Sequence, residues 1–184
     1  MGLDVGLLTT NQEDLYQEDY DYFYDHSLSR AFCNFMLRQH TVEAHEEPEL
    51  EQIGRLTQVD ISPLYAMETY PEETELGCRL AIAANEEERY AILHEMETRR
   101  QNLEGNLETV RVTVQALIHQ LSLLPDLADL LSSQWARHAY FRDFVHNTGD
   151  GYIDNNLGQD LRNFKCFLDY AKEHGSTTVY FSYG

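Results

Sequence analysis

Three groups of residues in this chain have the types and spacing to do chemistry. The first is the turn Asp150-Gly151-Tyr152-Ile153-Asp154, whose two carboxylates flank a glycine and could offer oxygens to a hard cation such as calcium. The second is His138, Asp143, His146 and Asp150, with Asp154 beyond them. Imidazoles and carboxylates this close in sequence can ligate a transition metal or pass a proton as acid and base. The third is the stretch 11–25, NQEDLYQEDYDYFYD, where six acids are interleaved with five aromatics and no base occurs. Tyrosines among carboxylates make a surface that pairs with arginine and lysine on a protein partner.

The calcium reading leaves too much unexplained. Aligned to an EF-hand loop, Asp150, Gly151, Ile153 and Asp154 fit their positions. His146 then takes the first ligand position, Thr148 the third, and Leu157 the place of the bidentate glutamate. A glycine turn leading into a helix accounts for every residue, with Asn155 or Asn156 as N-cap and Leu157 opening the apolar stripe. The histidine–carboxylate group matches no known ligand spacing. On a continuous helix His138 and His146 would lie about two turns apart. His94-Glu95 lacks the second histidine of a zinc-protease helix, and no nucleophile elbow, phosphate loop or dinucleotide-binding loop is present. A small metal-binding or hydrolytic enzyme centred on 138–154 is therefore the alternative reading, with no cofactor expected under the preferred one.

Charge favours the third group. The 184 residues carry 32 acids against 13 bases, a formal net charge of −19, and only two of the bases are lysines (Lys165 and Lys172). Residues 1–75 hold 17 acids and three arginines, a net of −14, while residues 76–184 carry a net of −5. Such a surface repels phosphate backbones and anionic membranes and attracts basic proteins. The candidate contact residues are Glu13, Asp14, Tyr16, Glu18, Asp19, Tyr20, Asp21, Tyr22, Tyr24 and Asp25. In composition this segment resembles the acidic, tyrosine-containing surfaces of nuclease-inhibiting immunity proteins and of nucleic-acid-mimic inhibitors. The resemblance implies a basic protein surface as partner, on a nucleic-acid-binding or nuclease protein, with no direct nucleic-acid contact and no membrane contact.

The elements that must carry these residues are mostly helical. The residues 3–9 and 176–183 read as strands, the latter alternating Val179, Phe181, Tyr183 against Thr178, Tyr180, Ser182, and pairing the two satisfies both backbones. Ser27 can cap a helix with apolar face Leu28, Ala31, Phe32, Phe35 and Met36. A short helix is expected near 48–57. Asn85 followed by Glu88 is a capping-box-like start, and from Leu93 a heptad places Leu93, Arg100, Leu107, Val114 and Leu121 at a, and Met96, Leu103, Val110, Leu117 and Leu124 at d. That pattern predicts one long helix over about 86–124, ended by Pro125, with His94 and His119 facing outward. Asp126–Ser132 and 134–145 read as short helices. A last helix over about 155–174 has the stripe Leu157, Leu161, Phe164, Leu168 and Ala171. Cys33, Cys78 and Cys166 are too far apart for a zinc site and read as buried, reduced core residues.

The fold class expected is α+β, mainly α: residues 1–184 as a single domain, with the long helix packed nearly antiparallel to shorter ones and a small terminal sheet. The first ten residues place an acid where a secretion signal needs a base, so the expected location is cytoplasmic. The function expected is a non-catalytic acidic binding or inhibitor protein. A homodimeric helical structural or adaptor protein, seamed along the long helix, is the third reading.

Overall fold

The computed structural model describes residues 4–13, 15, 28–41, 46–132 and 139–184. It is mainly helical, with seven α-helices and one two-stranded antiparallel sheet among the described residues. The sheet joins the two ends of the chain. Strand β1 (Val5–Thr9) pairs with β2 (Val179–Tyr183), from Val5 opposite Tyr183 to Thr9 opposite Val179. The alternation read from the sequence is observed in part: Val179 and Phe181 are buried and Tyr180 and Ser182 half-buried, but Thr178 is buried too and Tyr183 is half-buried. Phe181 meets Phe32 and Phe164 at centroid distances of 6.1 and 5.7 Å, so the sheet closes one side of the helical core.

Helix α1 (Arg30–Thr41) buries Phe32, Cys33, Phe35 and Met36. Ser29 caps it, its hydroxyl accepting from the Phe32 N–H at 3.2 Å, and Ser27, the expected cap, lies outside the described residues. Helix α2 (Glu49–Thr57) begins after Pro48 and ends at Gln58 in the left-handed region. Its Glu49, fully buried, takes a two-pronged ion pair from Arg38 at 2.9 and 3.2 Å. Helix α3 (Ser62–Ala66) follows, its Leu64 in the core.

The long helix is corrected. It is two helices, α5 (Glu86–Leu103) and α6 (Leu107–Ser122), separated by a turn at Glu104-Gly105-Asn106. The heptad favoured continuity, but Gly105 adopts φ +75°, a conformation that ends a helix. The groups freed by the break find partners on the strand that leads into β2. Gly105 N–H donates to Thr178 Oγ1 at 3.1 Å, and Leu107 N–H donates to the Thr177 carbonyl at 3.0 Å. The Asn106 side chain bonds the Val179 backbone twice, accepting from its N–H and donating to its carbonyl, both at 2.9 Å. The side-chain amide thus stands in for a neighbouring strand.

Within α6 the heptad holds: Leu107, Val110, Val114, Leu117 and Leu121 are buried. Helix α7 (Leu157–Glu173) lies antiparallel to it. Glu108 pairs with Lys172 at 2.7 Å and Arg111 with Asp169 at 3.3 Å at one end, while Leu121 and Leu157 line one small space at the other. Gly175, at φ +82°, ends α7. Ahead of the break the d positions Met96 and Leu103 hold and the a positions Leu93 and Arg100 do not. Helix α4 (Glu73–Ile82) and α5 form a hairpin in which Ile92, Met96 and Leu103 are buried and Leu93, an expected a residue, is 47% exposed. Cys78 is exposed on α4, also against expectation, while Cys33 is buried, which pushes its thiol up to about 11.

Two of the shorter helices are corrected as well. Asp126–Ser132 holds one tight turn, Leu127–Asp129, which Asp126 caps by accepting from Ala128 N–H. Of 134–145, residues 134–138 lie outside the described residues, and the rest is a single turn, Ala139–Phe141, followed by loop. Burial of Tyr140 and Phe141 against Phe35 takes precedence there over helical continuation.

The break generates a prediction. No heavy atom stands within 4 Å of a Cβ placed on Gly105, so Gly105→Ala meets no clash and bears only the backbone cost. That cost is about 1–2 kcal/mol. Asn106→Ala leaves the Val179 N–H and carbonyl without the bonds they now make and should cost about 1–3 kcal/mol. Urea unfolding with an unchanged m-value measures both. An Asn106→Ala protein as stable as the wild type would show that the clamp on β2 is dispensable.

Candidate functional site

The segment 142–156 is held by amide side chains at the start of α7. Asn156 is the N-cap, accepting from Gln159 N–H at 2.8 Å. Its amide nitrogen reaches the carbonyls of Arg142, Asp143 and His146 at 3.3, 2.8 and 2.9 Å. Gln159 accepts from the N–H groups of Thr148 and Gly149 at 2.9 and 2.8 Å and donates to the Gly149 carbonyl at 3.1 Å. Asn155 donates to the Gly151 carbonyl at 2.8 Å. The turn itself is closed by the pair Asp150 and Ile153, each N–H on the other's carbonyl at 3.0 Å, with Gly151 at φ +62°. Gly158 lets the loop lie this close, since a Cβ there would stand 1.9 Å from the Phe144 carbonyl oxygen.

Beneath the loop sits Asp160, fully buried. Four donors converge on its carboxylate: Ser29 N–H at 3.0 Å, Ser29 Oγ at 2.5 Å, Asn155 Nδ2 at 2.9 Å and Tyr140 OH at 3.0 Å. Burial holds the carboxyl above the usual carboxylate range, against the lowering by these donors. Burial likewise raises the Tyr140 phenol well above its ordinary value. A cleft of about 790 Å³ opens over this cluster, lined by Ser29, Arg30, Tyr140, Tyr152, Asp154 and Asn155 among others. Ser29, Tyr140 and Asn155, all bonded to Asp160, line the cleft, and Asp160 does not. The Ser29 proton goes to Asp160 and its oxygen accepts from Phe32 N–H, so Ser29 is committed at both ends. The arrangement fastens the start of α1 to the start of α7. It is positioning chemistry, and a carboxylate with no exposed atom does not touch a ligand.

The second sequence-based group does not come together as a site. Asp143 and His146 form an exposed pair at 2.6 Å, Asp143 being at φ +49°. Asp150 and Asp154 are exposed on the turn, and His138 lies outside the described residues. Among the described residues no three or more histidine, cysteine or acidic side chains could hold a metal ion together. His94 and His119 are exposed, as the heptad suggests.

Of the acidic segment, Glu13 is exposed just after β1, and Leu15 is fully buried. Asp14, Tyr16, Glu18, Asp19, Tyr20, Asp21, Tyr22, Tyr24 and Asp25 lie outside the described residues. The wider charge pattern is visible. Arg137 lies outside the described residues, which leaves 12 of the 13 bases. Ten of those are in ion pairs: Arg30, Arg38, Arg55, Arg79, Arg89, Arg99, Arg111, Arg142, Lys165 and Lys172. Exposed Glu73, Glu87, Glu104, Asp150, Asp154 and Glu173 make no ion pair among the described residues. The Glu108 carboxyl, bonded by Arg111 and Lys172, is held down to about 2.

Comparison with known families, with characterised proteins and with solved structures finds no match. Among the described residues no helix is long and apolar enough to cross a membrane.

What sequence reasoning missed is the polar cluster, although its signal was present. Asn155, Asn156, Gln159, Asp160 and Asn163 recur at helical spacing, and all five are buried. A polar stripe with the period of an apolar one marks a face turned inward onto backbone.

The raised Asp160 carboxyl sets a direction with pH. The folded chain holds this proton more firmly than the unfolded chain does. Its stabilising contribution is therefore complete below the unfolded pKa, about 4, and is lost as pH rises through the folded value. Asp160→Asn removes that titration, so the wild type should gain stability relative to the variant as pH falls towards the acid side. Asp160→Ala should cost about 1–3 kcal/mol for each donor it leaves buried without a partner. Thermal melts of wild type and both variants across the acid range measure this. A wild type minus Asp160→Asn difference that does not change with pH would remove the ionisable role of Asp160.

Proposed function

We propose that this chain is a non-catalytic acidic binding protein that covers a basic surface on a protein partner, of the kind found on nucleic-acid-binding proteins and nucleases. The observation that supports this reading is the disposition of charge. Bases are outnumbered more than two to one, and ten of the twelve described ones are already paired within the chain. What remains to face a partner is carboxylate. A net charge of −14 in residues 1–75 gives that field a direction, which acts on encounter with a positive partner more than on the fold. The interleaved tyrosines of 11–25 would supply the apolar contacts, and the same field disfavours nucleic acid itself as the ligand.

Two measurements test the proposal. The partner captured from a native lysate should elute as salt rises through the range in which charges screen over ~10 Å. Replacing Asp19 and Asp21 by Lys should leave the melting temperature nearly unchanged, because exposed charges contribute little to stability. It should slow association with that partner about tenfold and flatten its salt dependence. A charge-reversed protein that associates at the wild-type rate would leave 11–25 as a solvated face only.

A further inference from the structure

The helical hairpin α4–α5 stands apart from the rest of the fold. The main core runs from Val5 to Phe181, yet it includes no residue between Met67 and Leu107, even among the half-buried side chains that pack on it. None of the ten residues of α4 is buried, and α5 buries only Ile92, Met96 and Leu103. Polar bonds set the geometry of the hairpin. Arg79 grips Glu95 with two bonds of 2.7 Å, Arg99 reaches Glu75 and the Thr69 carbonyl at 2.7 Å each, and Arg89 reaches the Leu80 carbonyl at 2.9 Å. At the tip, Asn85 caps the helix by accepting from Glu88 N–H, and the Glu88 carboxylate accepts from Ala84 N–H, one residue ahead of the cap.

The outward face of α5 has a pattern of its own. Glu86, Tyr90, Leu93 and Glu97 recur at i, i+4, i+7 and i+11, which is one face of a helix. Tyr90 is 72% exposed and Leu93 47% exposed, and Ile82 at the tip is 82% exposed. The Glu86 side chain is 97% exposed, held only loosely by Arg89 at 3.7 Å. Glu97 accepts from Gln101 and makes no ion pair among the described residues. An apolar pair is therefore bracketed by two carboxylates, Glu86 open to solvent and Glu97 at the edge of a cleft it shares with Thr10, Tyr70 and Thr177.

Building on the reading that this chain binds basic proteins, we propose that the outer face of α5, from Glu86 to Glu97, is a docking surface for a basic amphipathic helix of the partner. Charge decides between occupants. A second copy of this chain would meet the surface through a two-fold axis, which sets the same patch against itself. Lying antiparallel, it would place Glu86 opposite Glu97 of the other copy and Glu97 opposite Glu86, like against like at both ends. A helix with leucine-type residues bracketed by lysine or arginine satisfies both ends and the middle, in the helix-on-helix mode read at i, i+3, i+4 and i+7.

The probe is a fluorescein-labelled peptide of about 18 residues, long enough to form a helix on a surface, with leucines on one face and lysines elsewhere. Fluorescence anisotropy is followed at about 0.15 M salt. The controls are the same composition with leucines spread round the helix, and polylysine. The protein variant is Tyr90→Ser with Leu93→Ser, which leaves the charge untouched and alters only exposed side chains; its circular dichroism should match the wild type. The expected result is that the variant binds the amphipathic peptide at least tenfold more weakly than the wild type, while polylysine binding is the same for both. Equal binding of the amphipathic peptide to both proteins overturns the inference and leaves the acidic-binder reading standing. Failure of the wild type to bind the amphipathic peptide also overturns it; failure with polylysine as well takes the wider reading down too. A wild type that sediments as a dimer and a variant that sediments as a monomer would assign the face to a second copy instead.

Discussion

The placement of the helices rests on a side chain that acts as backbone. Asn106 bonds both the N–H and the carbonyl of Val179, across 73 residues of sequence. Without it the first residue of β2 has one unpaired side, and a buried backbone group without a partner is costly. With it, the turn at Gly105 is fixed to the sheet, and α6 is delivered into the core with Leu107 and Val110 facing inward. The same turn directs α5 away from the core. One amide thus divides a heptad pattern into a helix that belongs to the body and a helix that belongs to the hairpin.

A similar economy shapes the other end of the core. A calcium loop is ordered because a cation gathers oxygens from several positions. In the 142–156 segment, three amides and a buried carboxylate do the gathering. Asn156 collects carbonyls, Gln159 collects N–H groups, and Asn155 ties the turn to Asp160. The loop is therefore ordered by neutral donors and acceptors on the first turn of α7, and the carboxylates Asp150 and Asp154 are left facing solvent. The cost of burying Asp160 is offset in part by its four donors, which lock Ser29, Tyr140 and the loop into one arrangement.

The features legible in the sequence are those whose causes are local. Asn85 with Glu88, Asn156 before Leu157, and the alternation Val179–Phe181 each carry their signal within a few residues, and the structure places each as read. The strand pairing was also legible, because lone strands at the two ends of a helical chain leave few other partners. The long helix failed for a different reason. A heptad counts apolar residues and is blind to the hand of a glycine and to a partner 73 residues away. It predicts a buried Leu93, yet Ile92 is the residue turned inward, because the hairpin with α4 selects a different face from the one α6 presents to α7. The polar cluster is not legible from capping rules, which account for Asn155 or Asn156 and say nothing of the residues that follow. Asn156 does cap, but Gln159, Asp160 and Asn163 point into the fold. Of the candidate contact surface, its charge was legible and its fold was not, since an acidic stretch of tyrosines suits a buried helix and an open face equally well.

The charge itself has a structural consequence. A chain at −19 repels itself when compact, and exposed ion pairs return little of that cost. The core must therefore supply the stability, through apolar burial worth about 25 cal/mol per Å² and through the cluster of Phe32, Phe35, Phe141, Phe164 and Phe181. Exposed carboxylates outside the ion pairs then contribute little to folding. Glu49 is the instructive exception. It is fully buried and gripped by Arg38 with two bonds, so its replacement would act on the fold before it informed on any partner. The acids of this protein thus divide by their bonds rather than by position: Glu49 and Asp160 hold elements together from within, Glu95 and Glu88 do so at the surface of the hairpin, and Glu73, Glu87 and Glu104 stand exposed with no ion pair among the described residues.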